Sequence, residues 1–308
     1  MTQEMQLSDL VVTNSPEKVM EEIRIIISLG FDEFDFNTLD NVFNDVLKLY
    51  NGDYPGYRKC TTEYHSLSHT IDTFIAMARL INGYIIDNHR ISEKSALLGL
   101  ISALMHDTGY IQTNDDNVGT GAKYTLVHIS RSITFLEKYF EIHGYSREDT
   151  GFCTNCIWCT NINIKMNELC FSSREEEVMG KMLGIADLIS QIADRSYLEK
   201  LIYLYMEFIE GKVEGFQNEV DMLNKTVGFF DTTIRRFVEE LGNLNRHMIN
   251  HFNVRWNINS DLYMKAIENN VKYLEYIMMN KRDRIQDYLR RDGIIDHLSE
   301  RGLLHFSN

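Results

Sequence analysis

The sequence predicts an all-α protein, and three observations carry that reading. Only two prolines, Pro16 and Pro55, occur in 308 residues. Leu, Ile, Met, Glu and Lys are abundant, and all but the β-branched Ile are good helix formers. Apolar residues also recur at helical spacing over long stretches. The chain is organised around one of these stretches. From Ala96 to Met105 nearly every residue is apolar or small, so a helix here has no polar face and must be buried. It ends in His106-Asp107, a pair that belongs in a core only when something pairs with it or binds it.

The other elements follow in order. Asn14-Ser15-Pro16-Glu17 reads as a helix start, with a capping side chain, proline in the first turn and an acid at the positive end of the dipole. That helix runs through Ile23–Ile27 and stops at Gly30. A second spans about 37–50, with Leu39, Val42, Phe43, Val46, Leu47 and Tyr50 on one face, and residues 51–57 form a loop. A third is entered at Glu63–Asp72 and reaches about Gly83. On it, His65 and His69 would stand one above the other. Ser92 and Glu93 cap the buried central helix. After Asp107 comes a polar loop to Gly121, then a helix over about 122–143 carrying His128. Further helices are expected over about 152–166, 175–211, 217–242 and 259–290, the last with a solvated charged face.

Composition bounds the function. The 31 Lys and Arg against 45 Asp and Glu leave a net charge of −14, which argues against broad contact with nucleic-acid backbone or anionic lipid. No apolar run approaches the roughly 20 residues of a bilayer span, and Met1–Gln6 has neither the basic nor the apolar region of a secretory leader. Five cysteines, four of them between Cys153 and Cys170, make no disulfide framework. A cytoplasmic protein is the economical expectation. Cys153, Cys156 and Cys159 recur every third residue, so on one helix they drift around the axis and read as small buried residues, not an iron–sulfur or zinc site.

The residues able to carry chemistry are His69, His106, Asp107 and Asp187, with His65 and His128 beside them. Asp187 stands alone in an apolar run, and Asp194, on the same predicted face, is the alternative buried acid. Imidazoles with two carboxylates form a borderline-to-hard donor set that suits Zn, Mn, Fe or Mg and leaves positions open for water. Water on such an ion ionises near neutral pH, beside a charge that neutralises an anionic substrate.

The order His…His-Asp…Asp across helices resembles the HD-domain superfamily of metal-dependent phosphohydrolases. Tyr64-His65-Ser66-Leu67-Ser68-His69-Thr70-Ile71-Asp72 is similar to the Tyr-His-Asn-x-x-His-Ala-x-Asp signature of class I cyclic-nucleotide phosphodiesterases. Ala103–Asp107 resembles their His-Asp helix, Ala186-Asp187-Leu188 their Ala-Asp-Leu motif, and Lys225–Asp231 more faintly their purine-pocket stretch. The resemblance covers roughly residues 60 to 240. It implies an HD-type helical bundle holding one or two divalent ions (Mn, Zn, Mg, Fe or Ni) on His69, His106, Asp107 and Asp187, with Asp107 bridging to a second ion. It implies His65 as the general acid and hydroxide attack on phosphorus. His128, Asn161 and Phe229 are implied at the substrate or the second ion.

The chain departs from that pattern at two points. Tyr110 stands where those enzymes carry a further histidine, and Thr226 runs into Val227 without their glutamine. The expected substrate is therefore a small phosphate ester, with phosphomonoesters, nucleotides and phosphodiesters all candidates. The competing expectation is a signalling or scaffold module that keeps the fold, with or without the metal, and has lost turnover. No internal repeat or linker appears, so one helical domain is expected: N-terminal helices in 1–58, the metal-site core in 59–242, and a loosely packed helical extension in 243–308. Neither a macromolecular partner nor an oligomeric state is specified by these residues.

Overall fold

The computed structural model describes residues 5–304, and its architecture is all-α. In chain order the helices are α1 (Pro16–Ser28), α2 (Phe36–Asn51), α3 (Leu67–Ile86), α4 (Glu93–Met105), α5 (His128–His143) and α6 (Arg147–Trp158). They continue as α7 (Arg174–Ala193), α8 (Tyr197–Glu210), α9 (Glu219–Glu239), α10 (Met248–Trp256), α11 (Leu262–Asn280) and α12 (Ile294–Glu300). Among the described residues, β structure amounts to one bridge between Tyr57 and Thr113. None of their helices is long and apolar enough to cross a membrane. Of the stretch read for a leader, Met1–Glu4 lie outside the described residues.

Helices α3, α4 and α7 are apolar around most of their circumference and form the centre, packed on one another. Helices α1 and α2 cover α3 and α4, and α6 lies across α4 and α7. Residues 243–304 are not loosely attached. Helix α10 packs on α3 and α11 on α7, burying Phe252, Leu274 and Ile277 in a core that runs from Leu10 to Leu298.

Local hydrogen bonding explains where element boundaries differ from the periodicity. Helix α3 begins after Ser66, so His65 precedes it and does not share a helical face with His69. The preceding turn is held by Thr62, whose hydroxyl donates to the His65 carbonyl at 2.6 Å, and by Glu207, which accepts the Tyr64 N–H at 2.7 Å. Helix α5 begins at His128 because the Thr125 carbonyl accepts the His128 Nδ1–H at 2.6 Å. The stretch 175–211 is two helices. At the break the Asp194 carboxylate accepts both the backbone N–H and the hydroxyl of Ser196, a local alternative to the helical ladder. Its other oxygen pairs with Lys200, so Asp194 belongs to the helix junction and Asp187 is the acid of the buried cluster. Helix α6 starts earlier and stops at Trp158, because the Arg236 guanidinium collects the carbonyls of Cys159, Asn161 and Ile162. Helices α10 and α12 fall within the expected helical extension, on either side of the helix expected over about 259–290.

Cys153, Cys156 and Cys159 are buried between α4, α6 and α7. Burial pushes the Cys153 and Cys159 thiols up to about 12, so they are neutral packing groups.

The turn after α4 is pressed onto α5. A Cβ at Gly109 would stand 1.9 Å from the His128 carbonyl oxygen, and the Gly109 N–H donates to Ser132 Oγ at 2.8 Å. Backbone cannot yield as a flexible side chain does, so Gly109→Ala is expected to cost about 1–3 kcal/mol or more. Urea unfolding checks this, and an unchanged midpoint would show that the approach is not needed.

Candidate functional site

Three helices each bring ligand-type groups to one point. His69 stands in the first turn of α3, His106 caps α4 with Asp107 directly after it, and Asp187 lies on the inner face of α7. The Nε2 atoms of His69 and His106 are 3.2 Å apart. Asp107 Oδ2 lies 3.3 Å from each of them, and Asp187 Oδ1 lies 3.1 Å from His69 and 3.7 Å from His106. His69, His106 and Asp107 offer one donor atom each within 4.8 Å of the others, and all three are buried. The His106 Nδ1–H donates to the Ala103 carbonyl at 2.9 Å, which turns Nε2 into the cluster.

Several details fit this donor set to a divalent cation. Asp107 Oδ2 is buried and has no hydrogen-bond partner, although two imidazoles stand beside it. Such an oxygen is costly unless another group satisfies it. Burial pushes the Asp107 carboxyl up, yet the imidazoles, His106 foremost, outweigh it and hold the group well below the usual carboxylate range. Asp187 is held down in the same way. The reciprocal effect acts on the bases. Burial lowers His106, and the two carboxylates override it and raise it well above the ordinary imidazole value.

The remaining sequence-derived candidates surround this cluster. His128 Nε2 lies 3.8 Å from Asp107 Oδ1, and burial lowers its pKa, which favours the neutral imidazole. His65 is held by Glu207, with 2.6 Å between Nδ1 and Oε2. The Tyr110 ring packs against both, its centroid 4.3 Å from that of His65 and 4.6 Å from that of His128, whose own centroids are 6.1 Å apart. His65, Asp107, His128, Asn161, Asp187 and Phe229 all line one cavity of about 750 Å³, with His69 and His106 behind it. Its outer walls are largely apolar, from Trp158, Leu204, Phe208 and Phe216. All eight candidates therefore meet at one site.

The profile of a family described as Npun_R2479-like matches residues 113–251, a segment that holds His128, Asn161, Asp187, Glu207 and Phe229. No curated protein matches the chain.

Sequence reasoning missed three participants. Gln191 donates to Asp187 Oδ1 at 2.6 Å and accepts the Tyr64 hydroxyl at 2.8 Å, which fixes the carboxylate. Glu207 is an acid in the apolar run Tyr203–Ile209, the same signal that singled out Asp187. The part played by Tyr110 is visible only in three dimensions.

At pH 7 the raised pKa keeps His106 protonated when no ion is present, whereas ligation needs its Nε2 lone pair. Loading chelator-stripped protein with Mn or Zn should then release protons, up to two per ion because His69 is raised as well, and affinity should rise with pH. Calorimetry in buffers of different ionisation enthalpy reads this, and an enthalpy independent of buffer would contradict it.

Proposed function

We propose that the protein is an HD-type metal-dependent phosphohydrolase that cleaves a small phosphate ester. The observation that carries the reading is the buried His69/His106/Asp107/Asp187 cluster at the floor of a cavity of about 750 Å³, with a carboxylate-held histidine on the wall. The four cluster residues would hold one divalent ion, and Asp107, with an oxygen 3.8 Å from His128, is placed to reach a second. A bound ion of this class supplies Lewis acidity toward phosphoryl oxygens and lowers the pKa of water.

The chain's own groups account for the rest of the chemistry. Glu207 accepts from His65 Nδ1–H and fixes the ring, so Nε2 is the nitrogen left to hand a proton to a departing ester oxygen. Tyr110 holds the His65 ring plane by stacking. Asn161 and Lys225 are polar groups on the cavity wall, and Phe229 and Phe216 offer apolar faces to the organic part of the ester. The cavity volume falls in the range of sites for small molecules, so a nucleotide is a fitting candidate. Packing of the Tyr110 ring against both His65 and His128 supports the second reading, a module that retains the site without turnover.

Elemental analysis with hydrolysis of bis-p-nitrophenyl phosphate separates these readings. The expected result is bound divalent metal and Mn-stimulated turnover that chelation abolishes. His65→Ala should keep the metal and lose roughly 10²–10⁴ in rate. Metal without turnover favours the scaffold, and a protein that takes up no metal under any loading overturns both.

A further inference from the structure

Asp87 caps the far end of α3, 18 residues beyond His69, or about 27 Å at 1.5 Å per residue. A second set of donor side chains converges there. Asp87 Oδ2 lies 3.1 Å from His247 Nδ1 and 3.7 Å from His89 Nε2, and the three residues offer donor atoms all within 4.8 Å of one another. His247 is 1% exposed, and neither of its ring nitrogens makes a hydrogen bond. At 3.1 Å the Asp87 oxygen is close enough to accept one, so the ring N–H does not aim at it. A buried imidazole with both nitrogens idle is costly and calls for a missing partner.

The backbone builds this arrangement. Asn88 is in the left-handed region, φ 61°, and reverses the chain between Asp87 and His89. Gly83 lets the turn that carries His247 approach, because a Cβ there would stand 2.0 Å from the His247 carbonyl oxygen. Tyr84 then fixes both rings, stacking on His89 at 4.1 Å and meeting His247 edge-on at 5.0 Å.

We propose that Asp87, His89 and His247 form a second metal site, for a zinc-class divalent ion that ties the end of α3 to the start of α10. Two imidazoles and a carboxylate are zinc donors, and tetrahedral donors about 2.0–2.1 Å from zinc stand about 3.3–3.4 Å apart. The 3.1 and 3.7 Å separations bracket that value. Three protein ligands leave a fourth position for solvent. His89 and His247 line a cavity of about 660 Å³ that also carries Arg174 and Arg246, and the half-exposed Asp87 gives an entry path. None of these residues lines the cavity of the first cluster, so the inference does not rest on the phosphohydrolase reading.

Zinc titration of chelator-stripped protein against a chromophoric chelator, with metal counting after gel filtration, tests the site. Both His89→Ala and Asp87→Asn should bind one zinc fewer per chain than the parent and still hydrolyse bis-p-nitrophenyl phosphate at the parental rate, if the parent does so. His106→Ala should keep the zinc that those two variants lose. His89 and Asp87 are partly exposed, so circular dichroism should show both variants folded. Equal zinc stoichiometry and affinity in the parent and in both variants would overturn the site, as would loss of all zinc from His106→Ala alone.

Discussion

Four buried polar side chains at the floor of the cavity set the terms for everything around them. Two imidazoles 3.2 Å apart would repel if both were charged with nothing between them, and two buried carboxylates would do the same. Interleaved, each carboxylate lies near both imidazoles, and the set is stable only when its two negative charges are balanced. Two protons on the imidazoles achieve that, and so would one divalent cation in their place. The exchange leaves the net charge of the core unchanged. The cluster can therefore be assembled by folding in the protonated form and remain ready for an ion, without an uncompensated charge in either condition.

That constraint reaches outward through a chain of hydrogen bonds. Gln191 restrains Asp187, Tyr64 restrains Gln191, and Glu207 grips both the Tyr64 N–H and the His65 ring. Glu207 reaches His65 only because the helix breaks. Were residues 174–210 one straight rod, Glu207 would lie 20 residues past Asp187, about 30 Å along the axis. The Asp194–Ser196 turn folds α8 back, so an acid distant along the chain arrives beside the same site. A small polar residue pair at the break thus determines the protonation partner of His65.

The sequence made some of this legible and concealed the rest for physical reasons. The all-α architecture, the N-terminal caps at Ser15 and Ser92 and the burial of residues 96–105 follow from local propensity and patterning. His106-Asp107 and Asp187 stood out because a charge in an apolar run has few innocent explanations. The break at 194–196 was hidden because the apolar pattern runs on through it. Four-residue spacing places His65 on α3 with His69, because spacing says nothing of the turn that Thr62 and Glu207 impose. The α6 boundary depends on Arg236, 77 residues away from the Cys159 carbonyl that it binds. Long-range side-chain capture of backbone has no local signature.

The same reasoning applies at the two ends of α3. At the first, the idle atom is Asp107 Oδ2; at the second, both ring nitrogens of His247. Both residues are buried, Asp107 at the edge of the larger cavity and His247 at the edge of the other. Most buried polar atoms are paired, so an idle one that stands beside other donors marks a place where a further group can come. At both ends the idle atom stands beside further nitrogen or oxygen donors from different elements, held rigid by stacked or hydrogen-bonded rings. Preorganised donors that fail to satisfy one another describe a cation site better than a packing defect, because a defect would relax by pairing them. His247 lies 158 residues from His89 and has no motif to mark it, so in that place only the unmet demand of a buried imidazole exposes the chemistry.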